Sequence, residues 1–262
     1  MPEPSVQCDV VIPARNEAEN LPALIEALRP LREAGVIRHV VVCDNGSTDD
    51  TGGLARGGGF VVVEESRPGY GGACLKALGW LADTAGRPDR LSDRATSVPV
   101  AFLDADLADD PDQLPRLLTP IAEGEADLVL GRRVPEQKGA LDPHQRFGNR
   151  FACVLLRLLT GHRYRDLGPM RALTWEALGV LEMRDRTWGW TVEMQYKAAT
   201  RGLRIVELDV PYRRRRAGVS KISGSLKGSV KAGVVIVRTI GALWWAERVR
   251  KPRASGSSHL TA

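Results

Sequence analysis

Several features that would settle the class of this chain at once are missing from it. Its 262 residues include four cysteines, Cys8, Cys43, Cys74 and Cys153, and no Cys-X-X-Cys spacing. That pattern removes zinc ribbons, dithiol redox centres and disulfide-built folds from consideration. Three of the four sit among apolar or small residues, so buried, reduced thiols are expected. No apolar run approaches the roughly 20 residues of a membrane-spanning helix. Met1 to Asp9 has no basic region leading into an apolar segment, so no secretory signal is read there. The expectation is a cytoplasmic protein, with any membrane contact peripheral and on the inner face. There is no internal repeat, and the only low-complexity stretch is the tail after Lys251, 251–262, expected to be disordered.

What is present suits one α/β domain with a small appendage. Apolar residues make up 43% and charged residues 26%, ordinary values for a water-soluble fold. The net charge of +5 hides an asymmetry: residues 201–253 hold fourteen Lys or Arg against Glu207, Asp209 and Glu247. A basic end of this kind serves nucleic acid, an anionic membrane surface or a phosphate-bearing substrate. Nucleic acid is not expected, because the segment carries no recognisable module and its aromatics do not alternate with its basic residues as a stacking platform would.

Short apolar runs alternate with helical periodicity along the first half. Strands are expected at Cys8 to Pro13, Val40 to Cys43, Phe60 to Val63, Val98 to Leu103 and Leu128 to Leu130. Helices are expected at Leu21 to Leu31, Gly72 to Ala85 and Asp112 to Glu123. This alternation predicts a mostly parallel sheet covered on both faces, with ligands at the carboxyl ends of its strands. Polar stretches from Gly86 to Ser97 and from Pro135 to Pro143 are expected as exposed loops.

The strand ends carry the candidate chemistry. Phe102-Leu103-Asp104-Ala105-Asp106 places two carboxylates two residues apart where an apolar run stops. Such a pair can hold a hard divalent cation against a diphosphate, although Asp-rich surface turns are also common. Glu17 and Asp44 follow the first two strands, where a carboxylate accepts hydrogen bonds from a base edge or ribose hydroxyls, or caps a helix. Gly69, Gly71 and Gly72 let backbone approach a ligand and present amides at a helix start, or simply form a turn.

Taken in order, Val10-Val11-Ile12-Pro13-Ala14-Arg15-Asn16-Glu17, Asp44-Asn45-Gly46-Ser47-Thr48-Asp49, Gly69-Tyr70-Gly71-Gly72-Ala73, Asp104-Ala105-Asp106 and Gly131-Arg132-Arg133 resemble the family 2 glycosyltransferases of GT-A fold. Pro211-Tyr212-Arg213-Arg214-Arg215-Arg216-Ala217-Gly218-Val219-Ser220-Lys221 is similar to the signature of the polyprenyl (dolichyl) phosphate mannosyl- and glucosyltransferases. The resemblance covers roughly 8–225 and implies a GT-A domain over 1–225, followed by a C-terminal helix over 226–250. It implies a nucleoside diphosphate sugar, UDP- or GDP-linked, held by Pro13, Arg15, Glu17, Asp44, Gly72, Ala105 and Arg133. Asp104 and Asp106 become ligands of Mg²⁺ or Mn²⁺, and together with Arg215 and Lys221 they are the implied catalytic residues. Arg146, Asp166, Trp190 and Glu193 fall on the acceptor side; Arg133 and Arg146 also match basic positions directed at phosphates. One departure concerns the metal shell: some members carry Gln two residues after the second Asp, where this chain has Ala108, leaving water, Asp109 or substrate oxygen to complete it.

The acceptor decides what else the protein must provide. A phosphate monoester, with a second pKa of about 6, arrives largely as a dianion and needs no general base. A sugar hydroxyl needs one, and Asp166 or Glu193 would be the candidate. The Arg/Lys segment favours a polyprenyl phosphate; a soluble hydroxyl acceptor is the enzymatic alternative, and a non-catalytic basic binding protein the alternative of another class. Val230 to Trp245 reads as an amphipathic helix with a basic rim, suited equally to closing the core or to a membrane interface, with a homo-oligomer contact as a further alternative.

Overall fold

Strand β1, Cys8–Ala14, is buried at every position except Pro13 because it lies inside the sheet with a neighbour on each side. Its side chains alternate between two cores. Val11 joins Val41, Phe102 and Leu130 on one face, while Val10 and Ile12 join Leu21, Leu24 and Leu114 on the other. That double covering is why the strand reads as a continuous apolar run.

The computed structural model describes residues 7–84, 98–137, 139–217 and 226–250. The expected loop between Gly86 and Ser97, the candidate Lys221 and the tail after Lys251 lie outside the described residues. After β1 come α1 (Leu21–Glu33), β2 (Ile37–Asp44), α2 (Thr51–Gly57), β3 (Val61–Glu64), α3 (Tyr70–Thr84), β4 (Val100–Phe102) and α4 (Leu114–Ala122). The chain continues through β5 (Leu128–Pro135), α5 (Pro143–Thr160), β6 (Arg171–Leu173), α6 (Trp175–Leu181), α7 (Trp190–Thr200), β7 (Ile205–Tyr212) and α8 (Leu226–Arg250).

The seven strands are ordered β3-β2-β1-β4-β6-β5-β7. Only β6 runs against the rest, pairing antiparallel with both β4 and β5, so the expected mostly parallel α/β sheet is present. Helices α1, α2 and α4 cover one face, and α3, α5, α6, α7 and α8 the other. Leu21, Leu24, Leu28 and Leu31 form the buried stripe of α1 that their spacing predicts. All four cysteines are buried and free. Burial pushes the Cys8, Cys43 and Cys153 thiols up to about 12, so none is a nucleophile at neutral pH.

The register sets the site. Ala14 lies opposite Asp44, and Val11 opposite Phe102. Because β2, β1 and β4 are parallel neighbours, their carboxyl ends share one edge of the sheet. Asp44, Glu17 and Asp104 therefore emerge side by side along it.

Candidate active site

At that edge the loop after β4 turns back under the segment that follows β7. Arg213 N donates to the Ala108 carbonyl at 2.8 Å and Arg216 N to the Asp106 carbonyl at 3.2 Å, so the basic segment is laid across the carboxylates by backbone bonds. Asp109 pairs with Tyr212 in an antiparallel bridge that continues this contact. Arg215 then reaches two acids with different nitrogens. Its Nη2 lies 2.8 Å from Asp106 Oδ2, and its Nη1 lies 3.2 Å from Glu17 Oε1. One guanidinium thus joins the turn after β1 to the loop after β4.

Glu17 is held from behind. Its amide donates to Thr51 Oγ1 at 2.8 Å, and Asn20 Nδ2 donates to its carboxylate at 2.7 Å. Asn16, at positive φ, accepts from Thr48 N at 2.7 Å, which ties the turn after β1 to the turn after β2. Asp44 Oδ1 accepts from Ser47 N at 2.9 Å, which closes the turn after β2 and caps no helix, since α2 begins only at Thr51 with Asp50 before it; the Asp44 carboxylate is half-buried beside Gly52. Pro13 is half-buried at the end of β1, Arg15 is exposed next to it, and Ala105 is buried between the two aspartates.

The carboxylates are crowded. Asp104 is pushed up to about 7, first by burial and then by the charge of Asp106; a hydrogen bond from Tyr70 Oη at 3.1 Å and the charge of Arg215 offset part of this. Asp109 is 3% exposed, and neither of its carboxylate oxygens has a hydrogen-bond partner. Burial, then the charge of Asp104, raises it well above the ordinary carboxylate range. Glu17, Asp104 and Asp106 thus share the single guanidinium of Arg215, and Asp109 beside them is buried without a partner; these are oxygen ligands that a dication suits. Among the described residues no three His, Cys, Asp or Glu side chains form a ready metal cage. Asp104 and Asp106 are suited to supplying part of an all-oxygen shell, which is how Mg²⁺ is commonly held together with substrate phosphates.

On the far side of the loop, Arg133 donates to both oxygens of Asp166 at 2.8 Å and lies over the Tyr212 ring, 5.3 Å from its centre. Burial opposes the charge of Arg133, but the Asp166 hydrogen bonds outweigh it and hold the guanidinium firmly protonated.

Residues 9–174 match the family model described as glycosyl transferase family 2. The chain belongs to glycosyl transferase family 2. It is 42% identical over 227 residues to an uncharacterized glycosyltransferase of Mycobacterium tuberculosis, covering 85% of this chain and 93% of that one. It is 32% identical over 253 residues to the undecaprenyl-phosphate mannosyltransferase of Micrococcus luteus, covering 92% and 97%. A crystal structure of glucosyl-3-phosphoglycerate synthase from Mycobacterium tuberculosis with Mg²⁺ and UDP superposes with a TM-score of 0.68 at 23% identity, over 91% of this chain and 82% of that one. The expected GT-A fold is therefore present, and this chain is a glycosyltransferase.

Several residues of this glycosyltransferase stand differently from their sequence-based expectation. The Gly72 amide is not presented to a ligand: it donates to the Arg186 carbonyl at 2.9 Å, as Gly71 N does to the Thr187 carbonyl at 3.1 Å. A Cβ on Gly71 would lie 2.0 Å from the Asp185 carbonyl oxygen, so these glycines serve the close packing of the 185–187 loop on α3. Trp190 is not a sugar platform. It is 1% exposed and lies against Phe102 at 6.1 Å between ring centres, whereas Trp188 stays partly exposed beside Tyr70. Arg146 is exposed on α5, and among the described residues no ion pair joins it to the carboxylate group.

Both candidate bases are engaged. Asp166 is the partner of Arg133 and also accepts from its amide at 2.9 Å. Glu193 is 2% exposed, pairs with Lys197 Nζ at 2.6 Å, and accepts from Arg184 N and Asp185 N. It is a structural anchor for the 182–189 loop. Glu193→Gln should leave the Lys197 charge buried without its counter-charge and cost about 3–5 kcal/mol in urea unfolding, with turnover per folded molecule within a few-fold of wild type. A general base would show the reverse, lost turnover at unchanged stability.

Tyr70 joins the site although its place in the sequence gives it no role there. It sits inside the glycine cluster, and its hydroxyl is the hydrogen-bond donor to Asp104.

Proposed function

We propose that this glycosyltransferase moves a hexose, with inversion, from a nucleoside diphosphate sugar to a polyprenyl phosphate. The observation that carries this reading is the engagement of Asp166 and Glu193 in ion pairs. With both candidate bases occupied, the acceptor best served is one that needs no deprotonation, and a phosphate monoester near neutral pH is such an acceptor. The 32% identity with an undecaprenyl-phosphate mannosyltransferase supports the same acceptor class.

On this reading Glu17 and Asp44 receive the nucleoside at the ends of β1 and β2, with Pro13 and Arg15 alongside. Asp104 and Asp106 hold Mg²⁺ or Mn²⁺, which supplies charge neutralisation to the diphosphate leaving group; neighbours of the same fold are crystallised with UDP and either ion. Tyr70 fixes Asp104 by its hydrogen bond. Arg215, already paired with Asp106 and Glu17, turns to phosphate oxygens as donor enters, a contact for which its planar donor fork is suited. Arg133 and Lys221 steady the acceptor phosphate. An oxygen of that phosphate forms the new bond to the anomeric carbon, on the face opposite the departing diphosphate, and the diphosphate leaves with the electron pair of the broken C–O bond.

The test is a panel of UDP- and GDP-linked glucose, mannose and N-acetylglucosamine with undecaprenyl phosphate, following lipid-linked product. Lipid product from one donor is expected. Product confined to water-soluble hydroxyl acceptors would replace the lipid assignment with the soluble-acceptor alternative, and inertness toward every donor would favour a binding protein.

A further inference from the structure

Helix α5 is apolar on two sides, and only one of them meets the core. Ala152, Cys153 and Leu156 are buried against the sheet. Phe147, Phe151, Val154 and Leu158 are 74%, 49%, 51% and 76% exposed. Their spacing of four, three and four residues puts them in one line along the outer side of the helix, about 16 Å long at 1.5 Å per residue. Isolated exposed apolar residues need no explanation, but a contiguous line of large ones does.

The neighbouring helix repeats the arrangement. α8 packs on α5 and α7, with Ile240 1% exposed and Ile236, Leu243 and Trp244 against the core. Val234, Val237 and Trp245, at 51%, 45% and 66% exposure, form a second line on its outer side. Seven of the ten exposed large hydrophobics among the described residues therefore belong to these two helices.

Charge identifies what covers them. Residues 143–160 contain no Asp or Glu, and Arg146, Arg150 and Arg157 are exposed beside the apolar line. On α8 Arg238 is exposed, and the one acid, Glu247, is taken by Tyr196 Oη at 3.1 Å and Thr200 Oγ1 at 2.9 Å. A second copy of the chain docking symmetrically would oppose arginines to arginines. An anionic bilayer surface does not: Phe, Leu and Val enter the acyl boundary, Trp245 sits at the headgroup level, and the arginines meet lipid phosphates. No helix among the described residues is long and apolar enough to cross a membrane, so the contact lies in the plane of the interface.

We propose that α5 and α8 together form a docking face for anionic phospholipid, and that α5 carries it to the acceptor side of the cleft. Asn149, on α5, accepts from Leu167 N at 2.9 Å, directly beside the Asp166 that clamps Arg133. Asn149 faces inward, so a bilayer docked on the outer side of α5 lies one helix away from the Arg133 clamp, and a polyprenyl phosphate would pass around α5 to reach it, a step that rests on the lipid-phosphate acceptor proposed above.

The experiment is co-sedimentation of the full chain with vesicles of phosphatidylcholine alone or mixed with phosphatidylglycerol, without donor or polyprenyl phosphate. Wild type is expected to bind the anionic vesicles at least about 10-fold more tightly than neutral ones. The double variant Phe147→Ser/Phe151→Ser should lose at least about 30-fold of that binding. Its transfer to a short, water-soluble prenyl phosphate should stay within about 2-fold of wild type. Arg150→Glu/Arg157→Glu provides a second variant that leaves the apolar line intact and should abolish the preference for anionic lipid. Absence of wild-type vesicle binding, or binding indifferent to both variants, overturns the proposal. So does a wild-type dimer in sedimentation velocity that the serine variant dissolves. Vesicle binding without lipid-linked product would keep the docking face and sink the acceptor assignment; lipid-linked product without vesicle binding would do the opposite.

Discussion

Asp106→Asn is expected to lower cation-dependent transfer at least about 1,000-fold, equivalent to roughly 4 kcal/mol of transition-state stabilisation. Asp106 is 5% exposed, with one carboxylate oxygen accepting from Ala108 N at 3.0 Å and the other 2.8 Å from Arg215. An asparagine keeps the acceptor for Ala108 and the shape of the side chain, so the loop retains its turn. What it removes is the negative charge that would bind a dication. The removed charge also comes from a crowded group, since Asp106 helps to push Asp104 up to about 7. Relief of that repulsion offsets the loss of half of Arg215's pairing, and folding stability should move by no more than about 1 kcal/mol. A urea midpoint checks the fold, and an electron paramagnetic resonance titration with Mn²⁺ reports the loss of the ion directly. Wild-type turnover in this variant would contradict the proposed coordination.

The cluster of Glu17, Asp44 and Asp104 is legible in sequence for a physical reason. In a parallel sheet the residue after each strand lands on the same edge, so Glu17, Asp44 and Asp104 are placed together by strand order alone. The surroundings of Asp166 and Glu193 have no such shortcut. Asp166 reads as a base from sequence, but Arg133, 33 residues away, holds both its oxygens. Glu193 and Lys197 are an i, i+4 pair, a spacing that usually marks a solvated helix face. On α7 the pair is buried because the turn at 182–185 closes over it, Arg184 N and Asp185 N donating to Glu193 and Lys197 Nζ donating to the Glu182 carbonyl. Trp190 lies inside because its ring packs on Phe102 of β4 and against Gly71 of α3. β6 has only three residues and exists because β4 and β5 pair with it on both sides; nothing in Arg171-Ala172-Leu173 marks it as a strand. The glycine cluster stands out in sequence, but nothing in Gly69 to Gly72 names its partner, the 185–187 loop.

Arg215→Ala is expected to move two measurements in opposite directions. In the free protein Arg215 spans Asp106 and Glu17 at 2.8 Å and 3.2 Å, which makes it an internal counter-ion that an incoming cation must displace. Its removal should therefore tighten Mn²⁺ binding to the free protein several-fold, because the carboxylates lose their competing charge. The same change should lower kcat/KM for transfer about 100-fold, since the developing diphosphate charge loses a bidentate donor. Arg215→Lys separates charge from geometry. One ammonium cannot bridge two acids with two nitrogens, so it should weaken Mn²⁺ binding less than arginine does and recover only part of the transfer rate. A purely structural role for Arg215, as a tie between the 213–217 segment and the 104–110 loop, predicts a lower urea midpoint with no gain in Mn²⁺ affinity. Tighter ion and slower transfer in one variant is a combination that only a residue exchanging between the acids and the substrate produces.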